Sequence, residues 1–381
     1  MTLRSPALRR APTPSGVPLV DLAAQHDQVA EEVALGWAEV LKATAFVGGP
    51  QVTAFEAEFA EYSGVRHCIG VANGTDALEL ALRALGVGPG DECMLPANTF
   101  IATAEAVARA GAVPVLVDCV EDTALIDVDA IKEKLGPRTK AIIPVHLYGQ
   151  TAPVEEIVRI ANANGVAVLE DAAQAQGARR HGVTAGALGD IAATSFYPGK
   201  NLGAYGDAGA VLTGDDKLAA RVRLLGAHGS PRKYEHTELG FNSRLDTLQA
   251  VVLSAKLRRL ECWNSARRAA AERYSALLGE LPGVRTPVVL EGNEPAWHLY
   301  VVRVQDRDRV LSELHAAGIG AGIHYPTPVH LTGAFASLGR GIGDFPVAER
   351  IAGELLSLPL FPEITRAQQE FVVETLAKAV R

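Results

Sequence analysis

A lysine in a loop that can be neither helix nor strand is free to meet a ligand, and Lys200 is placed in this way. It lies in Ser195-Phe-Tyr-Pro-Gly-Lys-Asn-Leu-Gly-Ala-Tyr-Gly-Asp-Ala-Gly209, a run too rich in glycine and proline for regular structure. Alone, a loop lysine reads as a solvated surface charge. Upstream, however, Val166-Ala-Val-Leu-Glu-Asp171 has the form of a buried parallel strand ending in two carboxylates, followed by Ala172-Ala173-Gln174. Acids at the carboxyl end of such a strand sit where α/β sheets place their ligands. A loop amine can form a Schiff base with a carbonyl compound, and a strand-end carboxylate can hold a proton on a heterocyclic nitrogen.

A third constellation completes the set. Val71-Ala72-Asn73-Gly74-Thr75-Asp76 leaves a strand and opens a helix, so free backbone N–H groups and the positive end of the helix dipole meet at Gly74 and Thr75. Taken alone, Asn-Gly-Thr-Asp is an ordinary helix cap; with the lysine loop downstream it reads as a phosphate cradle. Amine, acid and anion site are together what pyridoxal 5'-phosphate chemistry requires.

Glu170-Asp171-Ala172-Ala173-Gln174-Ala175 together with Ser195-Phe196-Tyr197-Pro198-Gly199-Lys200-Asn201 resembles the DegT-type nucleotide-sugar aminotransferases, from about Val17 to the C-terminus. The resemblance implies pyridoxal 5'-phosphate as cofactor, with Lys200 as catalytic Schiff-base lysine and Asp171 as partner of the ring nitrogen. It implies further that Phe100 stacks on the ring, Gln174 bonds its phenolic oxygen, and Gly74, Thr75 and Ser195 hold the phosphate. Asn242, in a matching Asn-x-Arg motif with Arg244, would reach that phosphate from a partner subunit, making the working unit a homodimer with active sites at its interface. The segment His324-Tyr325-Pro326, with His330, resembles the family's sugar-nucleotide contact, and Tyr197 and Asn201 flank the lysine as further substrate contacts. His146 sits at another strand end, as a ligand contact or as a satisfied structural histidine.

The implied reaction moves an amino group from L-glutamate to a nucleotide-linked keto-sugar, foremost at carbon 3 of a dTDP-3-keto-6-deoxyhexose, in amino-deoxysugar biosynthesis for antibiotics or polysaccharides. Tyr197-Pro198 before Gly199-Lys200 resembles the carbon-3 group; the carbon-4 group, acting on dTDP-4-keto-6-deoxyhexoses, often carries a histidine there. UDP-linked 3-keto uronic acids are the alternative substrates, since Asn73-Gly74-Thr75-Asp76-Ala77-Leu78 is shared. A sugar dehydratase of the same fold would have histidine in place of Lys200, and a regulatory relative would lack the lysine, the aspartate or the cradle. Gly203-x-x-Gly206-x-x-Gly209 precedes a strand, which excludes a dinucleotide fingerprint.

To position these residues, short apolar strands must alternate with helices, as in a parallel sheet built by crossovers. The strands expected are 68–72, 92–95, 113–117, 141–145, 166–170, 192–196 and 209–213, and the helices 75–85, 99–110, 129–135, 154–164 and 215–225. The expected architecture is α/β: a pyridoxal-phosphate-dependent transferase of fold type I, with a seven-stranded, mainly parallel sheet in an α/β/α sandwich and a smaller C-terminal α+β domain. One apolar-periodic helix ending near Leu41 precedes a second over 51–63. Beyond 244, two long helices are expected to meet at Cys262-Trp263. They are followed by a strand over 297–304, a helix over 308–317, a strand over 318–324, and helices around 347–356 and 366–380. The domains expected are a disordered tail over 1–16, a large cofactor-binding domain over 17–260 and a small domain over 261–381.

Composition narrows the classes. With 381 residues, 48% hydrophobic and 21% charged, the chain suits a folded two-domain enzyme. A net charge of −8 without any long basic run argues against nucleic acid as partner. Cys68, Cys93, Cys119 and Cys262 are too scattered for a metal site or a disulfide framework, which favours the cytoplasm. No apolar run approaches a membrane span, and prolines 12, 14 and 18 fall where a secretory signal would be apolar.

Overall fold

The computed structural model describes residues 16–381; the expected disordered tail lies outside them except for Gly16. Seven strands form the main sheet: β1 (His67–Val71), β2 (Glu92–Pro96), β3 (Val113–Val117), β4 (Thr139–Ile142), β5 (Ala167–Asp171), β6 (Ile191–Ser195) and β7 (Gly209–Thr213). Their order is β1-β7-β6-β5-β4-β2-β3. All neighbours are parallel except β7, which runs antiparallel to both β1 and β6.

The near-continuous apolar character of these strands follows from burial on both faces. Cys93, Leu95, Ala141, Leu169, Ile191 and Val211 enter one core, with Leu78, Leu80 and Ala81 of helix Gly74–Ala84. Their neighbours Met94, Ile142 and Val168 point to the opposite face, toward Val154, Ile157 and Ala161 of helix Val154–Asn164. Cys68, Ala192, Ala210 and Leu212 face that second side as well, with Phe55 and Phe59 of helix Pro50–Ser63. Helices on both faces of one sheet make the expected α/β/α sandwich.

Register decides where the chemistry gathers. Ser195 of β6 and Val71 of β1 both pair with Gly209, the first residue of β7. The carboxyl ends of β1 and β6 therefore flank one glycine, and Asp171 ends β5 beside them. A side chain at Gly209 would put Cβ 2.5 Å from the Asn73 carbonyl, so glycine is required for this approach.

A second, antiparallel sheet joins β8 (Val284–Arg285), β9 (Tyr300–Val304) and β10 (Leu355–Leu358) in the order β8-β9-β10. It shares a core with helices Arg307–Ala316 and Arg366–Ala379.

Four expectations need correction. The two helices meant to meet at Cys262-Trp263 are one helix, Thr247–Leu278, of 32 residues. Neither residue breaks a helix; Trp263 is instead buried against Val29 and Val33, its indole N–H donating to Gln28 Oε1 at 3.0 Å. This helix gives Leu253 and Leu260 to one core and Ala271 and Tyr274 to the other, on either side of the expected boundary at 260/261. The N-terminal helix is two, Leu22–Asp27 and Ala30–Ala43, and Leu41 points outward. Residues 318–324 form only isolated bridges at Ile319 and Gly322, because the glycines there lie against Pro18-Leu19, where a Cβ on Gly320 would sit 2.6 Å from the Leu19 nitrogen. The helix expected over 347–356 stops at Ala352, and Leu355–Leu358 becomes β10. A four-residue apolar run carries too little period to separate helix from strand.

Candidate active site

Asn73 caps the helix Gly74–Ala84, its Oδ1 accepting from the Asp76 N–H at 2.8 Å. That bond leaves the N–H groups of Gly74 and Thr75 facing a cavity of about 530 Å³, which Asn73, Gly74, Thr75 and Ser195 help to line. A Cβ on Gly74 would lie 2.6 Å from the Ser195 Cβ. The cradle is thus as wide as it is because residue 74 has no side chain.

Asp171 stands at the end of β5, buried, and reaches the same cavity. Thr103 Oγ1 donates to its Oδ2 at 2.8 Å and the Ala173 N–H to its Oδ1 at 3.2 Å. Both bonds hold the carboxylate in one orientation, since a charged acceptor strengthens each of them. Gln174 is oriented at both ends of its amide: Oε1 accepts from the Tyr148 N–H at 2.6 Å, and Nε2 donates to the Tyr325 hydroxyl at 2.9 Å. Burial first, and then the nearby Asp171 charge, push the Tyr325 phenol upward, so it remains neutral. Tyr148 in turn donates its hydroxyl proton to the His324 carbonyl at 2.6 Å.

Phe100 is not the core aromatic that its place near a helix start would permit. It is 51% exposed, lines the cavity, and lies 5.2 Å from the Tyr325 ring between centroids. Tyr197, 60% exposed, lines it too.

Lys200 opens into the same space. Its N–H is tied to the Tyr197 carbonyl at 2.8 Å in a tight turn, and the loop doubles back so closely that a Cβ on Gly203 would meet the Pro198 carbonyl at 2.3 Å. Shielding from water lowers the Lys200 ammonium from its ordinary 10.5 to about 8, against the opposing pull of Asp171. A desolvated amine of this kind is partly neutral near physiological pH and able to act as nucleophile or base.

Lys200, Asp171, Gly74, Thr75, Ser195, Phe100, Gln174, Tyr197, His324 and Tyr325 therefore converge on one cavity. Three expected residues do not reach it. Asn201 is buried, its Nδ2 donating to Asn264 Oδ1 at 2.9 Å and to the Ala296 carbonyl at 2.8 Å, so the expected substrate contact is replaced by an internal one. His330 is buried against Phe345 and bonds Glu349 at 3.0 Å, away from the cavity. Asn242 is exposed and lies outside the cavity, accepting from Arg244 at 2.8 Å. His146 is the satisfied structural histidine: Nδ1 accepts from the Ala152 N–H at 3.1 Å, and Nε2 donates to Glu170 at 2.7 Å. Sequence reasoning missed Thr103, Tyr148 and His298. All three are distant in the chain from the motifs they serve, and only the chain's closure brings them near.

The sequence model of the DegT/DnrJ/EryC1/StrS aminotransferase family matches residues 27–377. The erythromycin biosynthesis sensory transduction protein EryC1 of Saccharopolyspora erythraea is 48% identical over 94% of this chain and 98% of its own. The dTDP-3-amino-3,4,6-trideoxy-alpha-D-glucose transaminase of Streptomyces venezuelae is 46% identical over 96% and 97%. The crystal structure of S. venezuelae DesV in complex with a ketimine intermediate superposes with a TM-score of 0.94 at 45% identity, covering 96% of this chain and 99% of that one.

Proposed function

The chain belongs to the DegT/DnrJ/EryC1/StrS aminotransferase family, and from that premise we propose that it uses pyridoxal 5'-phosphate to move an amino group from L-glutamate to carbon 3 of a dTDP-3-keto-6-deoxyhexose. The observation that carries the reading is the convergence of Lys200, Asp171 and the Gly74–Ser195 cradle on one cavity. These residues fit the cofactor. The helix N-terminus at Gly74 and Thr75 suits a phosphate, the width left by the missing side chain at Gly74 suits its bulk, and the exposed face of Phe100 suits a planar ring.

Bound there, the cofactor supplies an aldehyde for amine exchange and a protonated ring that draws electrons from the substrate carbon. Everything else falls to the chain. Asp171, steadied by Thr103 and the Ala173 N–H, keeps the proton on the ring nitrogen. Gln174 has spent one Nε2 proton on Tyr325 and keeps the other for a phenolic oxygen. Lys200 Nζ takes the proton from the α-carbon of L-glutamate and, in the second half of the cycle, delivers one to carbon 3 of the sugar. Phe100, Leu299, Tyr325 and Tyr197 give the cavity apolar and aromatic walls around the place where these protons move. His324 is held neutral, burial and then the Lys200 charge lowering it to about 4, so it meets a sugar as a hydrogen-bonding ring and not as a cation.

The large cofactor-binding domain over 17–260, the small domain over 261–381, a homodimer and a cytoplasmic location belong to the same proposal. The two separate cores that share helix Thr247–Leu278 support the division. Exposed Leu41, Phe46 and Val47, beside the segment that carries Asn242, support a second copy covering that face and lending Asn242 to the first copy's phosphate. No helix among the described residues is long and apolar enough to cross a membrane.

The test is to load the protein with pyridoxal 5'-phosphate, add L-glutamate, and challenge it in parallel with a dTDP-3-keto-6-deoxyhexose, its 4-keto isomer and a UDP-3-keto uronate, reading product mass. The 3-keto deoxysugar should gain one amino group. Amination of either other sugar instead would move the substrate assignment, and release of a dehydrated sugar would end it. For the dimer, Asn242→Ala and Lys200→Ala proteins, each inactive alone, should recover activity when mixed; no gain over the parents would show that Asn242 does not act in trans.

A further inference from the structure

Tyr148 does not line the cavity, yet each of its polar groups ends on a residue that does. Its N–H donates to Gln174 Oε1 at 2.6 Å, its carbonyl accepts from the Leu299 N–H at 3.2 Å, and its hydroxyl donates to the His324 carbonyl at 2.6 Å. Gln174 closes a ring, because its Nε2 donates to the Tyr325 hydroxyl at 2.9 Å and Tyr325 follows His324 in the chain. One residue thus ties the cofactor side of the cavity to the side assigned to the sugar.

The turn that carries Tyr148 is held against its own preference. Tyr148 has φ 61° and ψ 6°, the left-handed region, which is uncommon for a bulky side chain and persists only where the surroundings over-determine it. Here they do. The next residue, Gly149, lies so near the 297–298 backbone that a Cβ on it would stand 2.6 Å from the His298 nitrogen, and its carbonyl accepts from the Ala296 N–H at 2.9 Å. The Tyr148 ring packs on the cluster of Leu299, Val301 and Leu355. Ring and backbone are therefore placed without the hydroxyl, which is left with one task, the His324 carbonyl.

The backbone N–H has a different task. It can only donate, so it fixes which end of the Gln174 amide is oxygen and turns Nε2 toward Tyr325. Nε2 likewise only donates, so the Tyr325 oxygen accepts, and the Tyr325 proton stays free for an oxygen in the cavity. The His324 imidazole is tied separately, to the Ser357 hydroxyl at 2.8 Å.

We propose that Tyr148 is a positioning residue for the sugar half of the reaction: its hydroxyl holds the His324–Tyr325 segment in place, and its N–H sets the polarity that makes Tyr325 a donor toward the sugar. Tyr148 touches neither cofactor nor sugar and transfers no proton. The kinetic side of this inference rests on the transaminase reading above. The placement of the segment does not.

Tyr148→Phe removes the hydroxyl alone and keeps the ring and the N–H. In the cofactor-free protein, hydrogen exchange followed by peptide mass should quicken severalfold over residues 322–331, where the Gly322 and Val329 amides are bonded to the Ser357 and Ala97 carbonyls, and stay within about twofold over 172–178. In the loaded enzyme the KM for the keto-sugar should rise about tenfold, while the L-glutamate half-reaction keeps its rate and KM within about twofold. Unchanged exchange over 322–331, equal quickening in both segments, or equal losses in both half-reactions overturns the proposal. A variant that does not fold overturns it as well, since the hydroxyl would then serve the fold as a whole. If the unmodified protein aminates no keto-sugar, the transaminase reading falls, and the exchange result still decides whether Tyr148 places the segment.

Discussion

Two lysines meet at the same loop, half-buried Lys200 within it and buried Lys256 reaching it from helix Thr247–Leu278. Lys200 and Lys256 are both lowered from 10.5 to about 8, in each case chiefly by burial. Lys256 spends its ammonium within the fold, donating to the Gly203 carbonyl at 2.8 Å and lying 4.6 Å over the Tyr205 ring. Lys200 bonds no side chain or carbonyl through Nζ among the described residues and faces a cavity with Asp171 across from it. Equal loss of proton affinity thus accompanies opposite roles. Desolvation makes an amine available in principle, and the absence of an internal partner makes it available in fact.

The sharpest way to break this comparison is to delete each amine in turn. Lys200→Ala should reduce transamination about 10⁴-fold, the upper range for loss of a positioned base, with little change in melting temperature. Lys256→Met should keep turnover within about tenfold while lowering the melting temperature by a few degrees, because the Gly203 carbonyl loses its donor. Similar kinetic losses for both would mean that the two lysines differ less than their partners imply. Next in size, Gly74→Ala should weaken phosphate and cofactor binding about tenfold or more by crowding Ser195, measured by equilibrium dialysis, with secondary structure unchanged by circular dichroism. Thr103→Val removes one charge-assisted bond to Asp171 and should lower kcat/KM about tenfold, with the pH dependence of cofactor release shifting as the ring nitrogen is held less firmly.

The smallest effect is on stability. Both lysines bind protons less readily folded than unfolded, so between about pH 8 and 10.5 the unfolded chain carries more protons. Their joint contribution to stability therefore rises with pH through that window and is lost as pH falls through 10.5 toward 8. Lys256→Met should remove about half of the slope in urea titrations of the cofactor-free protein, and an unchanged slope would show that Lys256 does not titrate in the fold.

Much of the site was legible because its parts are contiguous in the chain. Asp171 with Gln174, Ser195 with Lys200, and Asn73 with Gly74 and Thr75 are local motifs whose chemistry needs those residue types at that spacing. The seven strands of the main sheet were legible for a related reason: burial on both faces writes a short apolar run into each. Asn201 and His330 were misplaced because a polar residue next to a motif looks the same whether it points into a cavity or is consumed by the fold. The helix through Cys262-Trp263 was misread as two because a buried tryptophan at a helix crossing looks, in one dimension, like a junction.

The amino-acid sequence by itself determined the reagents: an amine, an acid and an anion cradle, each generated by a strand end or loop of a few residues. The tertiary structure alone decided their state. That Asp171 is braced by Thr103 and that Lys200 stays unpartnered while Lys256 is not both depend on contacts between segments far apart in the chain. Proton affinity and hydrogen-bond occupancy are properties of a group's surroundings, and those surroundings exist only once the chain has closed on itself.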